Sequence, residues 1–174
     1  MKLKKAFRKF WNFYWKENSF LSYVFFIIFT YLAFKFVLFP GFLFITGLSD
    51  VLAIMTPSME HSGNEQAYYY DYYSNLGYNS SEFVFNKGLN IGDVILVKKF
   101  ENYSVGEVIV FKSPYYENKL VHRIAELDPL KTKGDNNANS YIFDTIITEV
   151  YGKVVYKIPF LGLPRYLLYI ITGL

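Results

Sequence analysis

The sequence predicts a mainly β fold, an antiparallel β-sheet domain carried on an N-terminal transmembrane helix. Three observations predict it. A long uncharged apolar run follows a basic first segment. Beyond residue 49 the apolar residues come in short β-branched stretches opened by glycine turns, as in "GDVILVKK" and "GEVIVFK". No stretch beyond residue 49 sustains the 3.6-residue period of an amphipathic helix. At 174 residues the chain is long enough for one domain with a real core.

The anchor comes first. Residues 1–18 carry Lys2, Lys4, Lys5, Arg8, Lys9 and Lys16 against Glu17, a net of +5, while the remainder, with 12 basic and 14 acidic residues, has −2. Basic residues interleaved with Phe and Trp beside an apolar run mark the cytoplasmic flank of a span. Ser19 to Phe34 has no charge, Lys35 interrupts, and "FVLFPGFLFITGLS" is again uncharged. Residues 20–39 meet the ~20 apolar residues that a bilayer core needs as helix. Lys35 is expected near the far end, snorkelling to the headgroups, with Pro40-Gly41 ending the helix. The run is longer than the core of a cleaved signal peptide, and no A-x-A pattern follows it. The resulting division is 1–18 basic cytoplasmic segment, 19–41 transmembrane anchor and 42–174 outer-face domain. The apolar tail, 159–174, is interrupted by Pro159, Pro164 and Arg165. It is expected to pack on the domain or dip into the interface; a truncated second span is the other reading.

Within the outer domain, strands are expected at 93–99, 106–112, 119–127, 141–150 and 152–159. In "KLVHRIAEL" the alternation sets Val121, Arg123 and Ala125 opposite His122 and Ile124. Residues 62–90 form a polar insertion with six tyrosines between 68 and 78. Lacking a clear period, it is expected to be a surface loop or small subdomain, with its tyrosines a candidate contact for the membrane–water boundary.

The chain has no cysteine, which excludes disulfides, thiolate metal sites and cysteine nucleophiles. It has two histidines, His61 and His122, and no carboxylates at ligand spacing around them, so no metal site is expected. If a histidine acts as a base, the choice is binary. Free imidazole titrates near pH ~6.5 and accepts a serine proton at neutral pH. Ser58 follows Thr56-Pro57 soon after the span, with the preceding backbone held extended. Asp93, Asp128 and Asp135 stand in turn contexts, where aspartate bonds nearby backbone amides. Asp144, in "IFDTII", is flanked by apolar residues and needs a partner, for which a histidine is suited.

The ordered set "TPSMEH", "GDVILVKK", "GEVIVF", "LVHRI", "KGDNN" and "GKVVYKIPFLG", behind an anchor, resembles signal peptidase I. The resemblance covers nearly everything from residue 20 onward except 62–90. The histidine in "VHRI" is similar to the archaeal and endoplasmic-reticulum type, where the bacterial type has lysine. The resemblance implies Ser58 as nucleophile, His122 as general base, and an oxyanion hole from the Thr56 hydroxyl and the Ser58 amide. It gives Asp135 as one family acid and a second acid within a few residues. Tyr141 stands where a close relative might place that second acid, and Asp144, after a short insertion, is taken as the triad member over Asp135. His61 departs from the family, which often has proline there, and its substitution is expected to be mild. The implied activity needs no cofactor. The implied partners are secretory preproteins with their signal peptides, the lipid bilayer and the protein translocation machinery. The strand "VLAIMT" is expected to pair with an extended substrate, with Ala53, Met55 and Val121 lining small pockets. The implied location is the cell membrane, or the endoplasmic-reticulum membrane of a eukaryote, with the N-terminus cytoplasmic and the domain outside.

Two alternatives stay open: another membrane-anchored serine peptidase, and a non-catalytic anchored β-domain binding extended polypeptides. A nucleic-acid binder is disfavoured because the domain itself is acidic.

Overall fold

A computed structural model describes residues 2–16, 19–61 and 66–173. The chain divides into two units, Met1–Thr46 and Gly47–Leu174. The first holds helix α1 (Lys2–Lys16), α2 (Phe20–Ala33), a π-helical stretch (Phe34–Leu38) and α3 (Phe39–Thr46). Ser19 caps α2 by accepting the Ser22 amide.

From Phe20 to Thr46 these pieces form one apolar helix of 27 residues, long enough to cross a bilayer. This corrects the expected end at Pro40-Gly41. Pro40 lacks an amide hydrogen, and the π-helical stretch lies immediately before it. There the Phe39 N–H reaches back to the Phe34 carbonyl, widening the turn ahead of the proline. In hydrocarbon a broken helix would leave backbone groups without partners, so a continuous one is favoured. Lys35 therefore lies within the helix rather than near its far end, its ammonium beside the Tyr31 and Phe36 rings at 5.7 and 5.6 Å. The second unit starts at Gly47 rather than residue 42.

That unit is a six-stranded antiparallel sheet with helices around it. The strands are β1 (Asp50–Ala53), β2 (Val94–Lys98), β3 (Val108–Ser113), β4 (Tyr116–Leu127), β5 (Leu130–Lys133) and β6 (Glu149–Ile158), in the order β1-β2-β6-β3-β4-β5. Among the described residues helical ones outnumber strand ones, so the fold is a sheet domain with an apolar helix before it rather than mainly β. On β4 the alternation divides as expected. His122 pairs with Ile109 and Arg123 with Val108. Leu120 and Ile124 pack with Ile109 and Phe111 in one core cluster, while Val121 packs on another with Ile54, Met59 and Leu89.

Two expectations fail locally. Residues 141–150 are not one strand: Ile142–Thr145 is a single helical turn, α5, and β6 begins at Glu149. The Tyr141 amide donates to the Asp144 carboxylate at 2.9 Å, a local bond that competes with strand pairing. The Tyr-rich insertion contains α4 (Gln66–Asn75), although residues 62–65 lie outside the described set. Tyr69 and Tyr73 are buried and pack with Ala125, Phe83 and Val105, so they serve the core rather than a lipid surface. The tail forms α6 (Leu163–Thr172), whose ten residues span about 15 Å, too short to cross a bilayer.

The two buried tyrosines differ. The Tyr69 hydroxyl donates to the Ser80 carbonyl at 2.6 Å, whereas the buried Tyr73 hydroxyl has no partner. Tyr73→Phe is therefore expected to be neutral or mildly stabilising, while Tyr69→Phe costs about 1–3 kcal/mol. Thermal unfolding of the detergent-solubilised protein checks this; equal effects would contradict the packing.

Candidate active site

Ser58 lies in a single 3-10 turn, Pro57–Met59, just after β1. The turn is held from outside. The Asn136 amide donates to the Ser58 carbonyl at 2.9 Å, and the Asn136 side chain to the Pro57 carbonyl at 3.0 Å. The Leu89 amide donates to the Met59 carbonyl at 2.8 Å. A Cβ on Gly134 would meet the Ser58 carbonyl at 2.8 Å, so a glycine lets this loop lie against the turn.

His122 projects from β4 toward that turn. Its Nε2 lies 3.2 Å from Ser58 Oγ and its Nδ1 lies 2.5 Å from Asp144 Oδ1. Asp144 is buried and also accepts the Thr132 hydroxyl at 2.8 Å and the Tyr141 amide at 2.9 Å. These donors orient the Asp144 carboxylate toward the ring. The ring then carries its proton on Nδ1, donating to Asp144, and leaves Nε2 as an acceptor for the Ser58 hydroxyl. His122 is only 2% exposed, while Ser58 reaches a surface recess. Thr56 Oγ1 lies 3.5 Å from Ser58 Oγ. The structure thus brings Ser58, His122, Asp144 and Thr56 into one constellation.

The recess encloses about 130 Å³ and is lined by Ala53, Met55 and Val121, with Tyr116 and Leu120 beside them. A groove continues along Val51, Leu52 and Lys119 to Arg165 and Tyr169 of α6. β1 is an edge strand, and β5 pairs β4 only from Arg123 onward. The groove therefore runs between two strand segments that have backbone groups to offer.

Asp135 is not in this constellation. It accepts from Arg123 Nε at 3.0 Å and Nη2 at 2.7 Å, and from His61 Nε2 at 2.9 Å. Arg123 Nη1 donates to the Val84 and Gly106 carbonyls, and Nη2 also to Phe85. All five guanidinium donors are thereby used, and Tyr69 stacks at 5.0 Å. Burial alone would raise the Asp135 carboxyl, but Arg123 and His61 more than offset it and hold it below its ordinary range. Burial lowers the Lys133 ammonium, against partial compensation from Asp135 and Asp144. The His61 side chain is buried and its ring lies 4.4 Å from Tyr69, so a mild substitution is no longer expected. Asp93 behaves as a turn aspartate, accepting the Asn90 and Phe160 amides. Thr132, Arg123 and the Asp135 pairing carried no signal in the sequence, because each depends on a contact distant along the chain.

A scan against protein-family models gives no match, and a search of curated proteins gives none either.

Asp135→Asn leaves the buried Arg123 charge without its counterion, and a stability loss of about 3–5 kcal/mol is expected in detergent unfolding. The pH dependence follows from the lowered carboxyl. Stability from Asp135 is present above its unfolded value of about 3.9 and is lost as pH falls through the still lower folded value. Acid titration of the fold should lose this contribution in Asp135→Asn and keep it in Asp128→Asn.

Proposed function

We propose that the chain is a membrane-anchored serine endopeptidase that removes signal peptides from secretory preproteins, of the signal peptidase I type with a histidine base. The observation that carries the reading is the hydrogen-bond chain Ser58–His122–Asp144 opening into a groove beside an edge strand. In support stands the apolar N-terminal helix, which is long enough to anchor the enzyme where a membrane-held substrate emerges. Its basic flank favours a cytoplasmic N-terminus, with the peptidase on the outer face.

The substrate lies extended in the groove and adds a strand against β1. The small recess at Ala53, Met55 and Val121 favours small side chains next to the cut. Ser58 Oγ bonds to the scissile carbonyl carbon as His122 Nε2 takes its proton, and the imidazolium formed is stabilised by Asp144. The oxyanion is met by the Ser58 amide and the Thr56 hydroxyl. His122 returns the proton to the leaving amine as the C–N bond breaks, releasing the mature chain. Water then hydrolyses the acyl-enzyme and frees the signal peptide.

The test incubates the detergent-solubilised protein with a preprotein and identifies the new N-terminus. Ser58→Ala and His122→Ala should each lose roughly 10³-fold or more in turnover, and Asp144→Asn about 10⁴-fold. Thr56→Val should lose on the order of 10²-fold in kcat with KM little changed. Cleavage that persists in Ser58→Ala would overturn the proposal. A larger turnover loss in Asp135→Asn than in Asp144→Asn, with folding intact, would move the acid.

A further inference from the structure

Helix α1 is not a continuation of the span. The Ser22 hydroxyl donates to the Phe13 carbonyl at 2.7 Å, and the Phe13 and Phe25 rings lie 5.8 Å apart. In one continuous helix residues 13 and 25 would stand about 18 Å apart along the axis. The chain therefore turns between α1 and α2, and Ser22 is buried in the corner.

The residues of α1 are sorted by side. Phe7 and Trp11, one turn apart, stack at 6.1 Å and are 65% and 49% exposed. At 100° per residue, Lys5 and Lys9 fall on the opposite side, Arg8 at the boundary, and Lys4 on the aromatic side one turn before Phe7, at the end of the helix from which its long side chain reaches the headgroups. These four cations are all exposed. Folding the helix back into hydrocarbon would bury them at high cost. Leaving it in water would expose a row of aromatic rings beside a helix already long and apolar enough to enter a membrane.

We propose that α1 docks lengthwise on an anionic phospholipid surface. Its Phe7–Trp11 row enters the acyl boundary, and Lys4, Lys5, Arg8 and Lys9 meet phosphate groups. Charge complementarity selects the anionic lipid, and continuity with the span places α1 at headgroup depth. A nucleic acid would satisfy the cations but would leave the aromatic row in water. This docking is independent of the peptidase reading.

The molecule contains its own probe, because its only two tryptophans, Trp11 and Trp15, both belong to α1. The full chain is reconstituted in nanodiscs of phosphatidylcholine alone or mixed with phosphatidylglycerol. Tryptophan emission should shift to the blue and acrylamide quenching should fall several-fold when the anionic lipid is present. Lipids brominated near the headgroup end should quench more than lipids brominated at the chain terminus. Each basic residue should contribute roughly fivefold to the ratio of docked to undocked helix. Lys4→Glu/Lys5→Glu/Arg8→Glu/Lys9→Glu should abolish the difference between the two lipids. Phe7→Ser, which keeps every charge, should weaken protection and retain the lipid preference. Equal acrylamide access in the two lipids would overturn the proposal. So would a labelled RNA oligonucleotide protecting the tryptophans in neutral discs better than anionic lipid does.

Discussion

The buried ion pair between Arg123 and Asp135, extended by His61, is the constraint on which the rest of the site depends. It joins three distant parts of the chain: β4, the loop after β5, and the segment that follows Ser58. Such a pair adds little net stability compared with apolar packing, because desolvation offsets much of the attraction. Its geometric effect is larger. A planar guanidinium with every donor engaged fixes where Asp135 lies, and Asp135 fixes His61. The neighbouring Asn136 amide then donates to the Ser58 carbonyl. The position of one hydroxyl is thus set by a charge network that it does not touch.

The period of a β-strand connects this network to the Ser58–His122–Asp144 constellation. His122 and Arg123 are consecutive, so they point to opposite faces of β4. Arg123 clamps one face while His122 presents its ring to Ser58 from the other. A one-residue slip against β3 would exchange the faces, setting the guanidinium where the imidazole belongs. The register His122↔Ile109 and Arg123↔Val108 is therefore a requirement of the proposed chemistry as well as of packing. Asp144 reaches the same ring from a turn of helix rather than a strand, with Thr132 of β5 fixing its carboxylate.

Much of this is legible in the sequence where the cause is local. Glycine turns and β-branched runs mark β2 and β3, and alternation in "LVHRI" assigns the faces of β4. Asp144 stands out as an acid flanked by apolar residues, whereas Ser58 and His122 are singled out by the ordered motifs of the resemblance rather than by their neighbours. The failures have distant causes. Pro40-Gly41 is a breaker in water, but in an apolar helix the preceding π-helical stretch accommodates it. The tyrosines of α4 lack a helical hydrophobic period, and the burial of Tyr69 and Tyr73 depends on Ala125 and Phe83 from elsewhere. Asp135 looks like another turn aspartate in "KGD" because neither Arg123 nor His61 is near it in sequence.

The structure contains two His–Asp pairs of similar appearance, and what distinguishes them is the third partner. His61 Nε2 meets Asp135, but that carboxylate is already matched by Arg123. The other nitrogen of His61, Nδ1, is buried without a hydrogen-bond partner. With Nε2 on a carboxylate that Arg123 shares and Nδ1 facing no partner, the ring is placed as a fixed donor. His122 has the reverse arrangement: one nitrogen on a carboxylate with no arginine among its hydrogen-bond partners, the other on a hydroxyl that opens to a groove. Accepting a proton there creates a cation facing an anion, the condition a general base requires. For the proposed peptidase, the partners that each aspartate already has thus favour His122 over His61 as the base.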